Sequence, residues 1–262
     1  MPLAIALPSL DNLLDVLPFI LAGFFAQLVD GALGMAFGVI SSTILVSVIG
    51  MAPARASASV HLVEVFTTGA SGISHILHKN VDWGLFLRLA IPGAIGGIFG
   101  AYVLTSIDAS ITKPLVMTYL TGIGIYLIFK ASSHEESEDF KKAKITTPLG
   151  LFGGFLDAAG GGGWGPVVTS NLLIQGTDPR KTIGTVNTAE FFLTLAVSIT
   201  FIAQIGFRDF SVAVIGLLIG GIAAAPLGAV LAKRMKPKAL LFTVGFTLCL
   251  TSIYSVFRAI SQ

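Results

Sequence analysis

Glu64 and Glu190 carry the clearest chemical potential in this chain. Each is a carboxylate inside an apolar stretch, about nine residues in from a charged turn, at Arg55 and at Arg180-Lys181. At 1.5 Å per residue that is a depth of roughly 14 Å, near the middle of a bilayer. A carboxylate at that depth is expensive, and it is a functional candidate by default, able to carry a proton. His61 and Asn187 precede the two glutamates by three positions and share their helical faces. The plainer reading of all four is a set of satisfied helix-packing contacts.

A second chemistry lies in the backbone. Asp157-Ala158-Ala159-Gly160-Gly161-Gly162-Gly163-Trp164-Gly165-Pro166 interrupts an apolar run, and Asp30-Gly31-Ala32-Leu33-Gly34-Met35-Ala36-Phe37-Gly38 is a fainter copy. Irregular backbone at membrane depth is tolerated only where it is buried in protein or lines a wet cavity. A helix starting after each break points its free N–H groups and positive dipole end at the break. That makes an anion site without a buried cation. Ser41, Ser42, Thr43, Thr169, Ser170 and Asn171 lie further into those helices and could add donors, or bond back to their own helix.

The substrate-binding candidates are therefore Gly34, Met35, Gly38, Ser41, Ser59, His61, Gly161, Gly162, Gly163, Trp164, Gly165 and Asn187. Glu64, Glu190, Asp30 and Asp157 are the proton-coupling candidates. For the two aspartates, capping the helix after the break is the stronger expectation. His75 and His78 invite a metal reading with His61 and Glu64, but they fall beside Lys79 at the end of their stretch and read as interfacial. No metal and no cofactor is expected.

These residues need a membrane around them. The chain has 262 residues, 54% hydrophobic and 11% charged, with a mean hydropathy of +0.87. Soluble domains carry about 25% charge. The net charge of +2 forms no basic patch, so nucleic acid is not an expected partner. The single cysteine, Cys249, excludes an intrachain disulfide and reads as a packing residue. The first ten residues lack a basic region and a small-residue cleavage site, and read as a short extension.

Apolar stretches cover residues 13–50 (broken at Asp30), 55–78, 82–107 and 113–129; a hydrophilic stretch follows at 132–147. The order then repeats at 147–176 (broken at the glycines), 181–206, 209–232 and 237–258. Asp30 aligns with Asp157, Gly38 with Gly165, Glu64 with Glu190, Asp82 with Asp209 and Gly100 with Gly228, at offsets of 126 to 128. This is an internal duplication, with repeats at 1–131 and 147–262 joined by a charged linker at 132–146. If each broken stretch returns to its own side, Lys and Arg divide twelve to four between the two faces; if each crosses once, they divide eight to eight. The positive-inside rule selects the first arrangement, with the linker cytoplasmic and both termini outside. An odd number of crossings per half makes the repeats inverted. The limbs of the breaks, such as 16–29 with 14 residues, are short of the roughly 20 a full crossing needs, and are expected as half-helices.

The segments Asp30 to Gly38, Ser71-Gly-Ile-Ser-His75 with Asn80-Val-Asp-Trp83, Gly160 to Pro166 and Gly184-Thr-Val-Asn-Thr-Ala-Glu-Phe-Phe192 resemble the TauE/SafE sulfite-exporter family, also called TSUP. The likeness covers nearly the whole chain and rests on two copies in order. It implies a multi-pass permease of a bacterial or archaeal inner membrane, for sulfite, sulfonates, sulfoacetate or related organosulfur anions. The first Gly-rich segment is less glycine-dense than the second, so the halves need not bind substrate equally.

The expectation is an all-α integral membrane protein of two inverted repeats, each a broken Gly-rich helix pair plus three transmembrane helices. It is expected to move a small sulfur oxyanion by alternating access, as an exporter and with proton coupling. Its partners are the bilayer and the anion; the oligomeric state is left open. An anion channel, a permease for another carboxylate, and a metal-cation permease using Glu64, Glu190 and His61 as ligands are the alternatives. An intramembrane metalloenzyme would need a fuller ligand set than His61-x-x-Glu64.

Overall fold

The computed structural model describes residues 10–33, 35–132, 140–206, 211–234 and 237–260. Among these, all regular structure is helical. Leu10–Leu33 is α1; Phe37–Thr43 is α2, which runs on into a π-helical turn at Ile44–Val48. Pro53–Leu77, Trp83–Ser106 and Ala109–Ser132 are α3, α4 and α5. Thr147–Gly160 is α6; a π-helical turn at Trp164–Thr169 leads into the short α7, Ser170–Ile174. Pro179–Ile205, Ser211–Arg234 and Pro237–Ile260 are α8, α9 and α10. Among the described residues, the stretches Trp83–Ser106, Ala109–Ser132 and Lys181–Ile205 are long and apolar enough to cross a membrane.

The packing is small inside and large outside. On α4, Gly93, Gly96, Gly97 and Gly100 are buried, while Leu87, Ile91, Ile95, Ile98 and Phe99 are exposed. In water this arrangement would be perverse. In lipid it follows, because the solvent is as apolar as the side chains and helices associate by close backbone approach. Gly96 faces the Leu151 carbonyl of α6, Gly220 of α9 faces the Ile20 carbonyl of α1, and Gly124 of α5 faces Gly245 of α10. The most extensive helix pairs are α1 with α9, α4 with α6, α5 with α10 and α3 with α8. Each joins a helix of residues 1–131 to one of residues 147–262.

The first limb differs from the half-helix expected. With 24 residues, α1 is about 36 Å long, more than a hydrocarbon core. The helix begins at Leu10, six residues before the expected limb at 16–29, and runs four residues beyond it to Leu33. The limb α6, with 14 residues and about 21 Å, is short as expected. Within the linker, the described residues from Phe140 onward are not free. The Lys141 N–H donates to the Gly176 carbonyl at 2.7 Å, and the Lys144 and Ile145 N–H groups donate to Gln175 Oε1.

Candidate functional site

The two breaks meet. A Cβ added at Gly38 would lie 3.0 Å from Gly162 Cα and 3.2 Å from Glu64 Oε1, and one added at Gly165 would lie 2.8 Å from Met35 Cβ. Only glycine allows backbones this close. Gly161 and Gly162 also hold φ of +76° and +131°, which let the chain reverse after α6. In the first copy Ala36 takes a φ of 108° with no glycine to ease it. Such backbone is strained by about 1–3 kcal/mol and has to be held by its surroundings.

Both aspartates cap the helices that follow. Asp30 Oδ1 accepts from the Phe37 N–H at 3.2 Å. Asp157 Oδ1 accepts from the Gly163 and Trp164 N–H groups at 2.7 and 2.8 Å. The two caps span the same seven residues, Asp30 to Phe37 and Asp157 to Trp164. The N–H groups of Phe37, Gly163 and Trp164 are therefore spoken for by carboxylates.

A cavity of about 30 Å³ lies at the meeting point, lined by both breaks and by α3 and α8. Asp30, Met35, Gly38, Glu64, Asp157, Gly163, Gly165, Asn187 and Glu190, all singled out from the sequence, line it. Ala36, Phe37, Val39, Thr67, Thr68 and Pro166 also line it and were not among the candidate site residues. Thr67 and Thr68 were findable, since they sit three and four residues after Glu64 on its own face. None of the lining residues is a lysine or arginine. Glu64 is 5% exposed, and among the described residues its carboxylate accepts no hydrogen bond.

His61 stands just behind the cavity wall. Its Nδ1 lies 2.8 Å from the Ser57 carbonyl, and its Nε2 lies 3.0 Å from Asp157 Oδ2. A carbonyl only accepts, so Nδ1 carries a hydrogen, and Nε2 faces a carboxylate. Either Nε2 or Oδ2 must then hold a second proton, or a cation must lie against both. Ser57 Oγ donates to the Ala158 carbonyl at 2.8 Å, which ties α3 to α6 at the same level.

The other candidates take different places. Trp164 is fully buried, packs on Gly93 and Gly153, and donates from Nε1 to the Val186 carbonyl at 3.2 Å, away from the cavity. Gly162 backs onto Gly38 and Val39, and Gly161 onto Ser42. Ser59 bonds back to the Arg55 carbonyl at 2.8 Å, and Asn187 back to Ile183 at 3.1 Å. Ser41, Ser42 and Thr43 are buried, and their hydroxyls have no hydrogen-bond partner among the described residues. Gly34 lies outside the described residues. His75 and Asn80 approach each other at the end of α3, at 3.4 Å, away from His61.

Two further residues contact the second break. The Tyr119 hydroxyl donates to the Gly162 carbonyl at 3.1 Å, and the ring fills the space beside Gly160 and Gly163. Lys130 Nζ donates to Ser170 Oγ at 2.5 Å, and Ser170 Oγ lies 4.0 Å from Met35 Sδ. In the sequence Lys130 is one of the twelve Lys and Arg counted on the linker's face. Nothing local signals that α5 delivers its ammonium to α7.

A family model described as "Sulfite exporter TauE/SafE" matches residues 19–255. A protein of Bacillus subtilis (strain 168) described as "Probable membrane transporter protein YtnM" is 42% identical over 234 residues, covering 87% of this chain and 78% of its own length. No solved structure matches the chain.

Proposed function

The chain belongs to the sulfite exporter TauE/SafE family and is a membrane transporter; from that premise we propose that it carries a small sulfur-containing oxyanion, sulfite, a sulfonate or sulfoacetate. The observation that carries the reading is the meeting of the two Gly-rich segments around one polar cavity, with a capped helix start on each side. The dipole of a helix start favours an anion even though the N–H groups of Phe37, Gly163 and Trp164 are taken by Asp30 and Asp157. Lys130 adds a cation beside Ser170, close to Met35 of the cavity wall, and the unpartnered hydroxyls of Ser41, Ser42 and Thr43 are spare donors on the first segment.

Asp30, Glu64, Asp157 and Glu190 line the same cavity. An anion enters a ring of carboxylates only if positive charge enters with it, since each unpaired buried charge costs several kcal/mol. Coupling to protons, with Glu64 and Glu190 as carriers, is therefore part of the proposal and not an addition to it. The direction is export, by alternating access, across a bacterial inner membrane.

The proposed mechanism includes two inverted repeats. The caps have equal spacing, and each returning limb contains a π-helical turn. Exchanging the halves turns the α1–α9 pair into the α6–α4 pair, and α3–α8 and α5–α10 into themselves, but the extensive α4–α8 pair has only a slight counterpart in α3–α9. In this proposal a two-fold relation between the halves puts one gate on each side of a single site. The linker at 132–146 is cytoplasmic and both termini are outside, as the twelve-to-four division of Lys and Arg favours.

The test is a thermal-shift screen of the purified protein against sulfite, sulfonates, sulfoacetate and plain carboxylates. Stabilisation by a sulfur oxyanion, with carboxylates of equal charge ineffective, is the expected outcome. A response to carboxylates alone would overturn the substrate class.

A further inference from the structure

We propose that His61, Glu64 and Asp157 form a binding site for one divalent transition-metal cation at the wall of the central cavity. The ligand atoms of the three residues all lie within 4.8 Å of one another, and all three residues are buried. They come from two elements, α3 and the end of α6, so the site exists only when the second break is docked on α3.

Four features converge. First, the Ser57 carbonyl takes the Nδ1 hydrogen of His61, so a neutral ring turns the Nε2 lone pair toward Asp157. A backbone carbonyl holding the far nitrogen is the usual support of a metal-binding histidine. Second, Asp157 commits Oδ1 to two backbone N–H groups and leaves Oδ2 facing Nε2 at 3.0 Å. Donor atoms on one ion sit about 2.0–2.2 Å from it, so neighbouring donors are about 3–3.5 Å apart. The His61–Asp157 pair already has that separation.

Third, Glu64 is nine-tenths buried, opens on the cavity and accepts no hydrogen bond among the described residues. A held carboxylate would resist rotation; this one is free to close the remaining gap. Fourth, the cavity has no lysine or arginine in its lining, yet Asp30 and Glu190 also face it. A doubly charged ion is a compact answer to that charge, and about 30 Å³ suits a single ion. Mixed imidazole and carboxylate donors favour zinc, cobalt or manganese over alkali ions. Asp30, Glu190 and Asn187 line the same cavity, and a divalent ion there would offset part of the carboxylate charge that an oxyanion meets.

The inference goes beyond the transport reading, in that Glu64 holds either a proton or the metal and not both, and its test needs no flux. Full-length protein is purified in detergent, stripped with a chelator, and titrated calorimetrically with Zn²⁺ and with Mn²⁺. One equivalent per chain is expected. Affinity should fall by about tenfold or more in Glu64→Gln, which loses no hydrogen bond and so keeps the fold, and likewise in His61→Gln. A His75→Ala/His78→Ala double variant should bind as the parent does. Absence of binding, or binding abolished only in the His75/His78 variant, would overturn the site. If metal fails to bind while sulfur oxyanions still stabilise the protein, only the metal site falls. If metal binds and no sulfur oxyanion does, the metal site stands and the substrate class falls.

Discussion

Gly38 rests on Gly162 so closely that a methyl group on Gly38 would lie 3.0 Å from the Gly162 Cα and 3.2 Å from Glu64 Oε1. The two residues are far apart in sequence and come from the two breaks. Their contact fixes the cavity between them, because Glu64 is the next surface on that side. The broken segments thus serve each other as walls, and glycine is required where the walls touch.

Gly38→Ala should therefore destabilise the protein by about 1–3 kcal/mol, the usual cost of overpacking, and should reduce transport more than expression. Gly122→Ala is the matched control, since nothing lies within 4 Å of a Cβ there. Thermal unfolding in detergent, with flux measured at equal protein, checks both. Equal behaviour of the two variants would mean that the contact between the breaks is loose.

The Asp157 cap separates stability from function. Asp157→Ala leaves the Gly163 and Trp164 N–H groups without their acceptor and should cost about 0.5–2 kcal/mol. Asp157→Asn keeps a carbonyl oxygen for those donors, so stability should largely return while transport stays impaired. Unfolding curves and flux on the same preparations show whether the two effects part.

Much of this was legible in the sequence for a physical reason. Duplication preserves spacing, so Asp30 and Asp157, Gly38 and Gly165, and Glu64 and Glu190 announce each other, and most of these residues do line the cavity. Trp164 was misleading. A tryptophan at a glycine break suggests a binding edge, yet large apolar volume is worth more packed into the cleft that Gly93 and Gly153 leave open. The His61–Asp157 pair spans 96 residues and the Lys130–Ser170 pair spans 40. No local pattern encodes such pairs; they exist only once α3 and α5 are packed on the second break.

Lys130 supplies a further prediction. Lys130→Met should raise the KM for the transported anion by about tenfold, the worth of a charge-assisted hydrogen bond, with little effect on folding. Lys130→Arg should recover part of the loss. Concentration dependence of uptake measures both, and an unchanged KM would remove Lys130 from the anion's path.

The orientation is testable by labelling. In a Cys249→Ser background, Lys142→Cys should react with an impermeant maleimide only in inside-out vesicles, and Ser110→Cys only in intact cells. Both residues are exposed, so access depends on sidedness and not on burial. Labelling of both positions from one side, or of each from the opposite side, would overturn the full crossing of α5 with a cytoplasmic linker.

The most direct measurement is uptake of labelled sulfite or sulfoacetate into proteoliposomes, with and without a pH gradient, for the parent protein and for Glu64→Gln and Glu190→Gln. Saturable uptake that rises with the gradient, shows counterflow and loses its pH response in the glutamine variants is the predicted result. Flux that neither saturates nor shows counterflow, or a pH response unaltered in both variants, would contradict a carboxylate-lined, coupled transport site at the meeting of the two breaks.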